Sequence, residues 1–178
     1  MFPIALDLKR ISVLLVGQGP MLAKRITQLQ EAGATRVTVL DGRLPTLEEV
    51  VASGTVMACG LSDEDAKTLA AMAGKAGKLI NVEDVVELCD YYFTATVRRG
   101  DLLISVSTCG ASPTLAKRVR DIIGKTFGPE WAERLQRLAA ARQTWRAEGK
   151  TMKQVVAQTD ELISREGWLP EAPGKEAA

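Results

Sequence analysis

Four short runs rich in β-branched and other apolar residues, 11–17, 36–41, 55–59 and 78–84, alternate with helical patterns along the first half of the chain. This alternation constrains the fold more than any other feature. Strands separated by helix-length segments lie parallel, with each helix carrying the chain back to the edge where the next strand starts. The first run, ISVLLVG, is nearly all apolar, as a strand covered on both faces must be. PMLAKRITQLQEAGA then places Leu22, Ile26, Leu29 and Ala32 near helical spacing and ends on Gly33, as a helix C-terminus does. RVTVLD, TVMAC and KLINVED read as the second, third and fourth strands. PTLEEVVASG reads as a short helix, and SDEDAKTLAAMAGKAG as a longer one with Ser62 as N-cap and acids in its first turn.

After Asp84 the pattern changes. YYFTATVRRGDLLISVST holds two alternating runs around Arg98, Arg99, Gly100 and Asp101, which predicts an antiparallel hairpin. SPTLAKRVRDIIGKTFG follows as a helix with Ser112 as N-cap and Pro113 at its first position. Two further helices are predicted near 129–147 and 151–166, and the polar tail EAPGKEAA is expected to be disordered.

Charge excludes several partner classes. With 23 basic against 22 acidic side chains, no net field favours nucleic acid or an anionic membrane. No apolar run approaches the roughly 20 residues of a membrane helix, and no opening segment has a signal peptide's pattern, so the cytoplasm is the expected compartment. Cys59, Cys89 and Cys109 are far apart, which argues against a disulfide framework or zinc site. No permanent metal site is expected. The chain has no histidine, so a proton transfer must use a carboxylate, Tyr, Lys or Cys. Trp131, Trp145 and Trp168 are expected to pack helices rather than stack a ligand.

The sharpest local motif is LLVGQGPMLAKR. Gly17 lets the chain leave the first strand tightly, and Gly19 lets backbone approach a pyrophosphate at the next helix's N-terminus, beside Pro20 and Met21. Leu22 stands where a third small residue is usual. Asp41, at the end of the second strand and 22 residues beyond Gly19, is placed to take ribose hydroxyls and to disfavour a 2′-phosphate, which selects NAD over NADP. The competing reading is a ligand-free strand-to-helix turn.

Residues 81–118 contain Asn81-Val82-x-Asp84, Glu87-Leu88-Cys89, Phe93 and Ala95, the Arg98 to Asp101 turn, and Ser107-Thr108-x-Gly110-x-Ser112-Pro113. Together with the opening FPIALDLKRISVLLVGQG, they resemble the precorrin-2 dehydrogenase family of siroheme synthesis, which includes sirohydrochlorin ferrochelatases. The resemblance covers residues 2 to about 150. Departures fall in the glycine turn, where Gln18 and Leu22 replace small residues, and after the third strand. There Ala58-Cys59-Gly60-Leu61 stands where the family has Ala-Thr-Asp-Asp. Thr94 and Cys109 are further departures.

The resemblance implies an α/β protein, with a Rossmann-type domain binding NAD over residues 1–90 and a dimerisation hairpin and helix over 91–128. A helical C-terminal domain would span 129–168 and complete a tetrapyrrole cleft, followed by a disordered tail over 169–178. It implies a homodimer that oxidises precorrin-2 to sirohydrochlorin and a separate uroporphyrinogen methyltransferase supplying the substrate; Fe²⁺ insertion into the product stays open, since the family holds both bifunctional and dehydrogenase-only members. Asp84, just past the end of a parallel strand, is the expected catalytic residue; its neighbour Glu83 should face the other way if the strand persists. Ser107, Thr108, Gly110 and Ser112, ahead of a helix N-terminus, are expected to take substrate carboxylates, with Arg98 and Lys117 nearby. Thr108 also matches a position where some relatives carry a phosphorylated serine. The alternatives are a non-catalytic dimer that senses NAD or carries a tetrapyrrole, and a chelatase without dehydrogenase activity.

Overall fold

The computed structural model describes residues 1–170, which fall into two units, Met1–Phe93 and Thr94 onward. The expected tail lies, from residue 171, outside the described residues.

The first unit contains β1 (Val13–Gly17), α1 (Gly19–Glu31), β2 (Val37–Asp41), α2 (Leu47–Ala52), β3 (Thr55–Cys59), α3 (Asp63–Lys75) and β4 (Leu79–Val82). All four strands are parallel, in the order β2-β1-β3-β4, so the α/β expectation holds. β1 and β3 are buried throughout because they are central and covered on both faces, whereas β2, at an edge, buries only Leu40 fully. Alternate residues of β1 serve opposite layers. Leu14 and Val16 pack with Val50, Leu69 and Ala73 of α2 and α3, while Val13 and Leu15 pack with Leu22 and Leu29 of α1. Leu22 is thus a core residue, and the large side chain at this turn is absorbed by packing against Met57 and Cys59. Ser62 caps α3 as expected, and Gly33 takes the left-handed conformation just past α1.

β4 stops at Val82, two residues short of the predicted strand. Asp84 has φ of 63°, in the left-handed region, so the extended backbone cannot continue through it. Behind it Cys89 closes the turn: its sulfur accepts from Val82 N–H at 3.2 Å and lies 3.1 Å from the Val82 carbonyl.

The second unit holds the predicted hairpin, β5 (Ala95–Arg99) and β6 (Leu102–Val106), joined by Gly100 and Asp101. Three helices follow, α4 (Pro113–Thr126), α5 (Trp131–Ala147) and α6 (Met152–Arg165). Ser112 caps α4, accepting from Leu115 N–H at 3.2 Å, and Thr151 caps α6 in a capping box with Gln154. Trp131 is buried against Phe127, with Arg134 stacked on it, which matches its expected packing role. Among the described residues no helix is long and apolar enough to cross a membrane.

Candidate functional site

The parallel register brings the glycine turn and its acid together. Gly17 of β1 stands opposite both Asp41 of β2 and Cys59 of β3, so three strand ends meet in one row at the carboxyl edge of the sheet. α1 leads off to β2 on one side, and the chain returns through α2 to β3 on the other. This is the switch point at which open α/β sheets bind ligands. The row is tight: a Cβ on Gly17 would lie 2.3 Å from the Cys59 carbonyl oxygen. Gly60, which carries no sequence motif of its own, is needed equally, since with φ of 62° its Cβ would meet the Gln18 carbonyl at 2.6 Å.

The start of α1 is open. Gln18 provides no side-chain cap, Gly19 has φ of 70°, and nothing lies within 4 Å of the place its Cβ would occupy. Uncapped N–H groups of the first turn therefore face free space, as a pyrophosphate requires, although Pro20 removes one donor. Asp41 is exposed, with its carboxylate accessible to ribose hydroxyls. Arg43, the cation two residues on, is engaged by Glu49 through two bonds of 2.9 and 2.6 Å. These features fit a dinucleotide.

A cavity of about 290 Å³ lies beyond the ends of β3 and β4, lined by Met21, Cys59, Gly60, Leu61, Asp63, Glu83 and Asp84 among others. Asp84 is exposed at this cavity, and Glu83 lines it too, because the strand does not persist far enough to send them to opposite faces. Glu83 pairs with Arg25 of α1 at 3.1 Å, and both side chains are largely buried. Arg25 was not singled out from sequence, and Glu83 only as the neighbour of Asp84. One signal was available: Arg25 lies three residues after Leu22 and four before Leu29, on the helix face that the sheet covers.

Three other groups able to move protons, Tyr91, Cys59 and Cys89, are withdrawn from service. Burial pushes the Tyr91 hydroxyl up to about 12, and that hydroxyl donates to the Val56 carbonyl at 3.3 Å. Burial likewise raises the Cys59 and Cys89 thiols above their ordinary range. Among the described residues no group of three or more His, Cys, Asp or Glu is placed to hold a metal ion.

In the second unit the loop before α4 is folded on itself. Cys109 and Gly110 both have positive φ, 51° and 85°, and Ala111 N–H returns to the Thr108 carbonyl at 2.9 Å. Thr108 Oγ1 donates to the Ser112 carbonyl and accepts from Ser112 N–H, both at 3.1 Å, so its proton is committed. Ser107 and Ser112 use their oxygens only as acceptors, from Cys109 N–H and Leu115 N–H, which leaves each a hydroxyl proton to offer. Lys117 is exposed one turn into α4. The paired arginines separate in role. Arg99 donates to the carbonyls of Phe127 and Gly124 and so closes the C-terminal end of α4, whereas Arg98 is exposed. Arg98 lines an open hollow of about 510 Å³ with Thr96, Arg120, Asp121 and Lys125.

The family model described as the sirohaem biosynthesis protein central region matches residues 99–126. A siroheme synthase of Methylococcus capsulatus is 32% identical over 157 residues, covering 78% of this chain and 33% of that protein. A siroheme synthase of Sodalis glossinidius is 27% identical over 175 residues, covering 80% of this chain and 37% of its own length. The chain thus spans about a third of the length of these curated relatives. A solved SirC precorrin-2 dehydrogenase matches the fold with a TM-score of 0.74 at 21% identity, covering 96% of this chain and 94% of its own. The chain is thus similar over most of its length to the siroheme synthases of sirohaem biosynthesis, and it shares its fold with a precorrin-2 dehydrogenase.

Proposed function

We propose that this chain oxidises precorrin-2 to sirohydrochlorin with NAD, as a cytoplasmic homodimer. The observation that carries the proposal is the carboxyl edge of the parallel sheet, where an uncapped helix start, an exposed acid at the β2 end and an exposed carboxylate at the β4 end line one switch point. Gly17, Gly19, Pro20 and Met21 would cradle the pyrophosphate, and Asp41 would hold the ribose of the adenosine half. NAD, when bound, supplies a hydride acceptor. The oxidation removes one hydride and one proton from the macrocycle, and Asp84 is the group that takes the proton. Its exposure at the cavity leaves the carboxylate within reach of substrate and of water that can carry the proton away.

Ser107, Ser112 and the Gly110 turn, with Arg98 and Lys117, would bind the carboxylate arms of the tetrapyrrole; Thr108 acts by shaping the loop. Apolar side chains on the hairpin and α4, Leu103, Leu115 and Ile122, are 41%, 53% and 65% exposed, a surface that a second copy would cover. Insertion of Fe²⁺ as a substrate into the product is a second reading, favoured by the accessible Asp84 carboxylate at the cavity.

Anaerobic incubation with precorrin-2, with and without NAD, tests the proposal by the sirohydrochlorin spectrum, and a second run adds Fe²⁺. Oxidation that depends on NAD is expected, with Asp84→Asn lowering kcat about 10²- to 10⁴-fold while tetrapyrrole binding persists. Tetrapyrrole binding without oxidation by NAD or NADP would reduce the chain to a chelatase or carrier.

A further inference from the structure

Glu83 is held on one side only. Its Oε1 receives Arg25 Nη2 at 3.1 Å, while Oε2 is buried and has no hydrogen-bond partner among the described residues. Arg25 itself is fixed more fully: its other terminal nitrogen donates to Gln28 at 2.8 Å, and its guanidinium lies 3.9 Å from the centre of the Phe93 ring. The ion pair is therefore a rigid post, with a carboxylate oxygen left over. Buried polar atoms without partners are rare in native proteins, and a carboxylate oxygen opposite an arginine acts as an acceptor, so this oxygen calls for an N–H or O–H donor. The cavity that Glu83 lines is the one at the β3 and β4 ends, beside Met21 at the start of α1. The β3 side of that cavity, Cys59, Gly60 and Leu61, brings no carboxylate or amide side chain to it.

We propose that Glu83 is a specificity residue of the dinucleotide site, its Oε2 accepting from the primary amide N–H₂ of a nicotinamide ring. Arg25 is the positioning residue that holds the carboxylate for this bond. The proposal rests on the dinucleotide reading above and separates two neighbouring acids by role. Glu83, buried and paired, recognises; Asp84, exposed, handles the proton.

Calorimetric titration of the full chain tests this without turnover. Three probes are used: NAD⁺, its 3-acetylpyridine analogue, in which a methyl ketone replaces the primary amide, and ADP-ribose, which lacks the ring. The wild-type chain is expected to prefer NAD⁺ over the analogue about tenfold, the worth of one charge-assisted hydrogen bond. Glu83→Gln is isosteric, and its amide nitrogen donates equally well to either carbonyl. It should bind the two within about twofold, as should Glu83→Val. ADP-ribose should bind all three proteins alike, which shows each is folded with the rest of the site intact. A wild-type chain without preference, or a Glu83→Gln chain that keeps it, overturns the role of Glu83. A wild-type chain that binds none of the probes overturns the dinucleotide reading and this inference together.

Discussion

In Met1–Phe93 two adjacent strands are buried from end to end and helices cover both faces. In the second unit, by contrast, α4, α5 and α6 each bury one residue fully, β5 buries one and β6 none. The first unit is a three-layer core that needs nothing further to be compact. The second has a single two-stranded sheet, with apolar side chains left half-covered or exposed along its hairpin and first helix. On the proposed function, the difference corresponds to a division of work. Proton and hydride chemistry needs groups held to within fractions of an ångström, and the stiff parallel sheet supplies that. The proposed recognition of flexible carboxylate arms, and the proposed pairing with a second copy, would tolerate a thinner frame that a partner completes.

Core truncation is the strongest way to break this contrast. Leu69→Ala, at a side chain with 0% exposure, is expected to cost about 2–5 kcal/mol of unfolding free energy in a urea titration. Ile122→Ala, at 65% exposure, should cost no more than about 0.5 kcal/mol when measured at dilutions where the chain is monomeric. Equal losses would remove the distinction between the units. The two proposals separate further with Ile122→Asp, which should shift sedimentation from dimer to monomer without altering the first unit's stability.

A smaller effect compares glycines. Gly17→Ala drives a methyl group into the Cys59 carbonyl and should cost about 1–3 kcal/mol and weaken ADP-ribose binding. Gly110→Ala meets no atom within 4 Å and should cost only the left-handed backbone penalty, about 1 kcal/mol, with ADP-ribose binding unchanged.

Alkaline pH gives the smallest effect and reports on the first unit alone. Burial holds Tyr91 protonated up to about 12, above its ordinary value of 10.0. A fold that disfavours the phenolate keeps its full stability below pH 10.0 and loses it as the pH rises toward about 12. Tyr91→Phe should flatten that part of the alkaline limb, by at most about 1.4 kcal/mol per pH unit, in pH-dependent unfolding.

Strand and helix placement was legible where a local pattern and a cap agreed. ISVLLVG, TVMAC, Ser62 and Ser112 all act as the sequence implies, because burial on both faces and capping are decided by residues close together in the chain. The candidate site was legible in part. Gly17, Gly19, Asp41 and Asp84 come to one edge because a parallel sheet gathers all its strand ends there. Glu83 was expected to face away from Asp84 only if the strand persisted; period-two alternation needs an extended backbone, and β4 ends two residues early, ahead of the left-handed turn at Asp84.

The sequence by itself determined the succession of elements, the glycine turn and the family resemblance, since each depends on neighbours along the chain or on a motif read in one stretch. Only the tertiary structure decided which charges are buried and what they face. Arg25 and Glu83 are 58 residues apart, and two side chains that would each look like solvated surface become a buried ion pair when α1 and the end of β4 are brought against each other. Arg98 and Arg99 make the same point within one dipeptide: alternation along β5 exposes the first, and the end of α4 recruits the second to its unsatisfied carbonyls. Long-range pairing of this kind has no local signal, because the desolvation it requires is offset only by a partner that folding supplies.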